Sequence, residues 1–411
     1  MKNSASILLL LLLTATVAIT VLPCFPEQMP TVEMMWSNPM AVWDLKVSKD
    51  GNYIAAVNET GLYYFAVNDP NPRWWKNIPG GFTSVAVSAD GKYVIAGSMV
   101  GENIFYFADA DEKIGEITEA TWWSVSLGGT VEPGTLDISD DGEYVVVGGT
   151  GPTVYYFADC TTRSGSGQTS TWSDMLDVSD IRAVDMSPNG RYVVAGGYNN
   201  TIEPGFVVFY KDANTAPYPT KPLWDAWSKV NETILDIAVS DDGYAVTAVT
   251  ASPPKTLYYW AEATTLTGDP SATWKSEGYF RSVDTSSDGD EVVAGGMPPI
   301  PPCLHFWAEA RSRTGPLEEE TWIELKDMDV LDVAISDDGS IVAATTHIGV
   351  ESDYNVYFFT SDGELIDGFE LESFSPLISM SGDGSIVAVG GPGFDSIYTF
   401  KITRHVPVGG E

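Results

Sequence analysis

Along the chain, short segments recur in which large apolar residues alternate with small or polar ones, as in Ser84-Val85-Ala86-Val87-Ser88 and Thr135-Leu136-Asp137-Ile138-Ser139. A period of two puts successive side chains on opposite faces of an extended backbone, so each segment predicts a strand. Each strand runs into the tetrapeptide Ser-x-Asp/Asn-Gly, whose glycines are Gly51, Gly91, Gly142, Gly190, Gly243, Gly289, Gly339 and Gly384. Asp-Gly suits a hairpin turn, because glycine accepts positive φ and the carboxylate caps the local backbone. A β-branched run follows, such as Tyr144-Val145-Val146-Val147, and its continuous apolarity predicts a second strand buried on both faces. The third strand is aromatic, as in Leu62-Tyr63-Tyr64-Phe65, Ile104-Phe105-Tyr106-Phe107 and Leu257-Tyr258-Tyr259-Trp260. A more polar fourth strand carries a tryptophan, for which Trp75, Trp123, Trp172, Trp227, Trp274 and Trp322 are expected, with Phe369 before Gly384 and Trp36 before Gly51.

Eight turns spaced about 48 residues apart match the period of four-stranded propeller blades. The expectation is an all-β chain: one eight-bladed β-propeller of four-stranded antiparallel blades over residues 33–402. Its last repeat lacks a fourth strand, and residues 33–37 form a fourth-type strand without a blade. The N-terminal strand is therefore expected to complete the last blade and close the ring, which removes the sheet edges an open array would expose.

The hairpin signature resembles the WD-repeat pattern, with Ala-Asp or Ala-Glu (Ala108-Asp109, Ala158-Asp159, Ala261-Glu262, Ala308-Glu309) where that family ends its third strand in Trp-Asp. The segments from Ala263 to Gly268, reaching Trp274, and from Ala310 to Gly315, reaching Trp322, are similar to the tryptophan-docking segments of quinoprotein (PQQ)-like eight-bladed propellers. The first resemblance implies the architecture and no particular activity. The second implies a quinone-dependent dehydrogenase, although the chain has no adjacent cysteines and no long insertions of the kind that build such a pocket. Either way the fold hosts many activities, and function must be argued from a site.

Charge and termini narrow the setting. Of 411 residues, 57 are Asp or Glu and 21 Lys or Arg, a formal net charge of −36. Such acidity argues against nucleic acid or anionic lipid as partner and favours cations or basic proteins. Lys2 precedes an apolar run from Ile7 to Leu22, so residues 1–26 read as a signal peptide or N-terminal anchor, and residues 403–411 as a tail. The expected product is secreted or at the cell surface, monomeric, with membrane contact only through its N-terminal segment. Cys24 just beyond the run invites a lipid-anchor reading, which Pro23 disfavours. Cys160 and Cys303 fall in non-adjacent repeats and are not expected to pair. Sequons at Asn58, Asn199 and Asn231 are glycosylation candidates in an exported chain.

The candidates for chemistry are few. Asp44, Asp236 and Asp332 lie seven residues before a turn glycine, and Asp137, Asp185 and Asp284 lie five before one. These positions share a face of the innermost strand. The six aspartates either converge on the axis as a Ca²⁺ site or accept backbone hydrogen bonds at the seams between blades, the reading burial favours. No other cofactor is expected. His305, His347 and His405 share no metal-ligand spacing, and Asp109-Ala110-Asp111 lacks the remaining positions of a calcium loop. No nucleophile elbow or phosphate-cradling loop occurs. The expected function is a non-catalytic scaffold binding a protein or cell-surface ligand. The alternative is an axial enzyme, either a metal-dependent hydrolase or lyase or the quinone dehydrogenase. Contacts are expected on inter-blade insertions at 112–121, 161–171 and 199–222, and on the Pro-rich loop 297–302.

Overall fold

The computed structural model describes residues 29–404 apart from 200–204, 231, 252–254, 297–302, 316–318, 326–327, 348–353, 372–376 and 393–395. Asn231, His405, the 297–302 loop and the N-terminal apolar run with Cys24 thus lie outside the described residues. Eight antiparallel sheets form the ring. Blade 1 contains Asp44–Val47, Tyr53–Val57, Gly61–Ala66 and Trp74–Asn77, and the next six blades repeat this order of hydrogen-bonded neighbours. Blade 8 contains Leu377–Met380, Ile386–Gly390 and Ile397–Thr403, with Thr31–Asn38 as its outer strand. That strand pairs antiparallel with Ile397–Thr403, from Thr31 opposite Thr403 to Asn38 opposite Ile397. The ring is closed as the repeat count requires.

The turn motif explains its own composition. In blade 1 the Ser48 hydroxyl donates to Asp50 Oδ1 (2.6 Å) and accepts from the Tyr53 amide (3.0 Å). Asp50 Oδ1 also accepts from the Asn52 amide, and Gly51, at φ +71°, donates its amide to the Ser48 carbonyl. The same serine-to-carboxylate bond recurs in the other blades, with Asn189 replacing aspartate in blade 4. Buried hydroxyls and turn amides are thereby satisfied locally.

Seams between blades are built from aromatic side chains with polar tips. Tyr64, Tyr106, Tyr156 and Tyr259 each donate a hydroxyl to the carbonyl of the next blade's turn glycine. Trp74, Trp122, Trp172, Trp224, Trp274 and Trp322 each donate their indole N–H to a carbonyl of the following blade, from Ala110 for Trp74 to Ser361 for Trp322. Trp36 does the same across the closure, to Val67. Blade 7 has Phe369 instead, which packs on Phe400 at 4.8 Å between ring centres. Such pairs bury large area while keeping each N–H or O–H satisfied.

Two expectations are corrected here. The stapling tryptophans are Trp74, Trp122 and Trp224, not Trp75, Trp123 and Trp227. In a strand, adjacent residues face opposite sides; Trp75 and Trp123 therefore point the other way, and Trp227 stacks on Phe206 beyond its strand. Second, the insertions 112–121 and 161–171 are not inter-blade loops but connections from third to fourth strand of one blade. They reach back to the preceding blade: Gly115–Glu116 pairs parallel with Trp74–Asn77, and Gly165–Gln168 with Trp122–Ser124. Shorter bridges at Gly268 and Gly315 repeat the pattern. Each connection begins with an acidic residue in the left-handed region, Asp109, Asp159, Glu262 or Glu309, where the Trp-Asp dipeptide was missing. The stretch 199–222 likewise divides into two connections within blade 4.

Candidate functional site

The innermost strands surround an axial funnel of about 560 Å³. Among the described residues, nine aspartates line it, together with Lys46, Lys49 and Arg281. All six sequence-predicted carboxylates, Asp44, Asp137, Asp185, Asp236, Asp284 and Asp332, are among them.

These six do not converge on a single point. Each turns toward a backbone amide, most across a seam. Asp44 Oδ2 accepts from the Val85 amide (2.9 Å) and the Ser84 hydroxyl (3.1 Å), while Oδ1 accepts from the Leu45 amide (2.9 Å). Asp236 binds Val283 and Ser282 of blade 6, and Asp332 binds Ile378 of blade 8. Asp185 accepts from Val239 at 2.7 Å and Asp284 from Ile335 at 3.0 Å. Asp137 accepts from the Ile138 amide and faces Asp185. At the closing seam Ser379 takes the part of the aspartate, its hydroxyl accepting from the Val47 amide. No group of three or more His, Cys, Asp or Glu side chains among the described residues is placed to hold a metal ion. Satisfying these amides uses the oxygens a Ca²⁺ ion would need.

The funnel supplies its own cations. The Lys46 side chain reaches water in the channel yet has protein on every side. Burial opposes its charge, but Asp44, Asp137, Asp332 and Asp236 hold its pKa above the usual lysine range. At the turn end, Lys49 Nζ lies 3.2 Å from both Asp241 and Asp337 and 3.8 Å from Asp140. These three carboxylates come from blades 5, 7 and 3, so the ammonium spans the axis and plugs that end. The second turn position is Lys49, Asp140, Asp241 and Asp337 in the odd blades and Ala89, Pro188, Ser287 and Gly382 in the even ones. Tabulating this variable position across the eight copies is the signal by which the plug could have been found. Backbone bonds run round the same rim, from Ala89 to Asp140, Asp140 to Pro188, Asp241 to Ser287, Ser287 to Asp337, Asp337 to Gly382 and Gly382 to Lys49. The link from blade 4 to blade 5 is missing, since Pro188 has no amide proton to donate.

Crowded carboxylates in a confined channel resist ionisation. Burial pushes Asp284 up to about 7 and Asp185 and Asp332 up to about 6. It also raises Asp44 and Asp236, against the pull of Lys46. Asp137 is driven well above the carboxylate range by burial and by the charge of Asp185.

The other candidates do not line the funnel. His305 stacks on Trp307 and lies 3.0 Å from Glu320 through Nδ1. The His347 amide donates to the Asp329 carbonyl. Cys160 and Cys303 are buried, in blades 3 and 6, and are not bonded to each other. Asn58 is half-buried and caps the turn at Thr60 and Gly61. Asn199 is buried at 8% exposure and donates to the Asp177 carbonyl.

The family of WD domain, G-beta repeats matches residues 176–203, a single match that spans the first two strands of blade 4. No curated protein matches the sequence. Among solved structures, Sqt1 of Chaetomium thermophilum bound to the N-terminus of the ribosomal protein L10 superposes with a TM-score of 0.65 at 12% identity. The match covers 91% of this chain and all of the other. The chain is thus a WD-repeat-like propeller, and at that identity the likeness speaks for the fold alone.

Proposed function

We propose that this propeller is an exported, non-catalytic platform that binds a protein or cell-surface ligand through one face of the disc. The observation that carries the reading is that the axial carboxylates are committed to seam amides and to Lys46 and Lys49. The axis acts as an axle, which leaves the faces for partners. The two faces differ. The turn face carries the repeated Ser-x-Asp-Gly carboxylates, whereas Met99, Val100, Val125, Met175, Leu235 and Tyr354 are exposed at the opposite strand ends. Exposed apolar side chains gathered on one side of a rigid scaffold favour association there. The Sqt1 structure holds a peptide terminus on a propeller of the same shape. Export rests on the apolar run from Ile7 to Leu22. The test is affinity capture from cell envelopes with the full chain and with a Met175→Asp, Tyr354→Asp variant. A stoichiometric partner retained by the first and lost by the second is expected; equal recovery or none overturns the reading.

A further inference from the structure

Blade 3 has an outer edge that the following blade leaves open. In blade 1 the connection reaching back from blade 2 bonds to the outer strand, the amides of Gly115 and Ile117 donating to the Arg73 and Trp75 carbonyls, both at 2.8 Å. In blade 2 the Gly165 amide donates to the Thr121 carbonyl (3.0 Å) and the Val125 amide to the Gln168 carbonyl (2.9 Å). Blades 4 and 5 show single bonds of the same kind, from the Asp225 amide to Gly268 and from the Gly315 amide to Thr273. In all four the glycine stands six residues after the left-handed acidic residue, as Gly115 does after Asp109. Asp212 is left-handed too, at φ 57°, but the sixth residue after it is Tyr218, between Pro217 and Pro219. Proline has no amide to donate, and Tyr218 packs instead on the core cluster that holds Trp172 and Tyr210.

The connection 213–222 therefore adds no strand, although all of it lies among the described residues and Trp172 still donates to the Ala213 carbonyl at 3.0 Å. Blade 3 ends at Trp172–Met175 with four strands, where blades 1 and 2 have five. By the pairing seen in blades 1, 2 and 4, the Thr171 carbonyl, both backbone groups of Ser173 and the Met175 amide turn outward. Among the described residues none of them meets another backbone group. An open edge of this kind is a template for a further strand. At its far end Met175 is 77% exposed and lines a cavity of about 200 Å³ with Leu127, Pro152, Thr153 and Tyr155. We propose that residues 171–175 are a docking edge for an extended, basic peptide segment of a partner protein, which adds as a parallel fifth strand and seats one apolar side chain beside Met175. The covered blades show the occupant's form, extended, parallel and free of proline where it donates. Its charge follows from the net −36 of the chain and from exposed Asp177 just past the strand. The edge names a kind of partner for the platform described above and rests on that reading only for its setting.

The test is selection of a displayed library of random peptides on the full chain, followed by amide hydrogen exchange with the enriched peptides bound. Basic, proline-poor peptides with a large apolar residue are expected to be enriched and to slow exchange at Ser173 and Met175. Ser173→Pro removes the outward amide at an edge position that tolerates proline, and is expected to weaken their binding by about tenfold or more. Met175→Lys is expected to do the same through the cavity and the added charge, and its exposed position keeps it informative if Ser173→Pro does not fold. Leu365→Lys, an exposed apolar position on the outer strand of blade 7, leaves binding unchanged. Enrichment of no basic peptide, protection only outside residues 171–175, or binding that survives both blade 3 variants overturns the proposal. A dimer of the chain that protects the same segment makes the occupant a second copy and overturns it too. An envelope partner lost with the Met175→Asp, Tyr354→Asp variant but retained by Ser173→Pro would sink this edge and leave the platform standing.

Discussion

Lys49 and Lys46 show how single residues convert an acidic ring into a stable one. Without Lys49, Asp140, Asp241 and Asp337 face one another across the axis with no cation between them. Lys49→Met is expected to cost about 1–3 kcal/mol, measured as a shift in the urea midpoint; the ammonium is about a third exposed, so the lower end applies at high salt. The same residues bear on metal dependence. Because lysines occupy the space among the carboxylates, adding EDTA is expected to leave the melting temperature unchanged, and a chelator-induced drop would revive a Ca²⁺ axis. At the seams, Trp274 donates to Ala310 at 3.0 Å and is fully buried. Trp274→Phe is expected to cost about 1 kcal/mol for the lost hydrogen bond and Trp274→Ala about 3–5 kcal/mol for the cavity, read by chemical denaturation.

At the scale of the element, closure depends on a strand distant in sequence from the sheet it completes. Thr31–Asn38 covers the edge of Ile397–Thr403, and Trp36 staples blade 8 to blade 1 by the bond that other tryptophans make. Deleting residues 31–38 is expected to expose that edge and to yield aggregates on size-exclusion chromatography, whereas truncation after residue 404 leaves a monomer. The third-to-fourth connections do related work outside the ring. By adding a short parallel strand to the preceding blade they cover its outer edge, as Gly115–Glu116 does for blade 1. Their spacing in the sequence marks them as insertions. Their destination depends on a left-handed residue such as Asp109, which turns the chain backward, and no periodicity reveals that.

For the molecule as a whole, the axial aspartates set the response to pH. Asp185 and Asp332 near 6 and Asp284 near 7 hold protons in the folded state that an unfolded chain releases near pH 4. The native state therefore binds more protons between about pH 4 and 7, and stability falls as pH rises through that window. The urea midpoint is expected to be higher at pH 5 than at pH 8, with Asp284→Asn flattening the difference. Carboxylates held below their ordinary range, such as Asp242 and Asp383 at the turns, lose their contribution only at still lower pH and do not mask the effect. A net charge of −36 acts in the same direction, since self-repulsion grows as the remaining carboxyls ionise, and added salt should offset part of the loss.

Strand identity, turn chemistry, repeat number and the need for a closing strand were all written locally, because alternation, Asp-Gly and the missing fourth strand each act within one repeat. The six aspartates could be located from their spacing to the turn glycine for the same reason. What they do was decided in three dimensions: an amide left open by the neighbouring blade claims five of the six carboxylates, all but Asp137, and no pattern within a repeat records that demand. The axial plug is the extreme case. Lys49, Asp140, Asp241 and Asp337 come from four separate repeats and meet only because the ring closes.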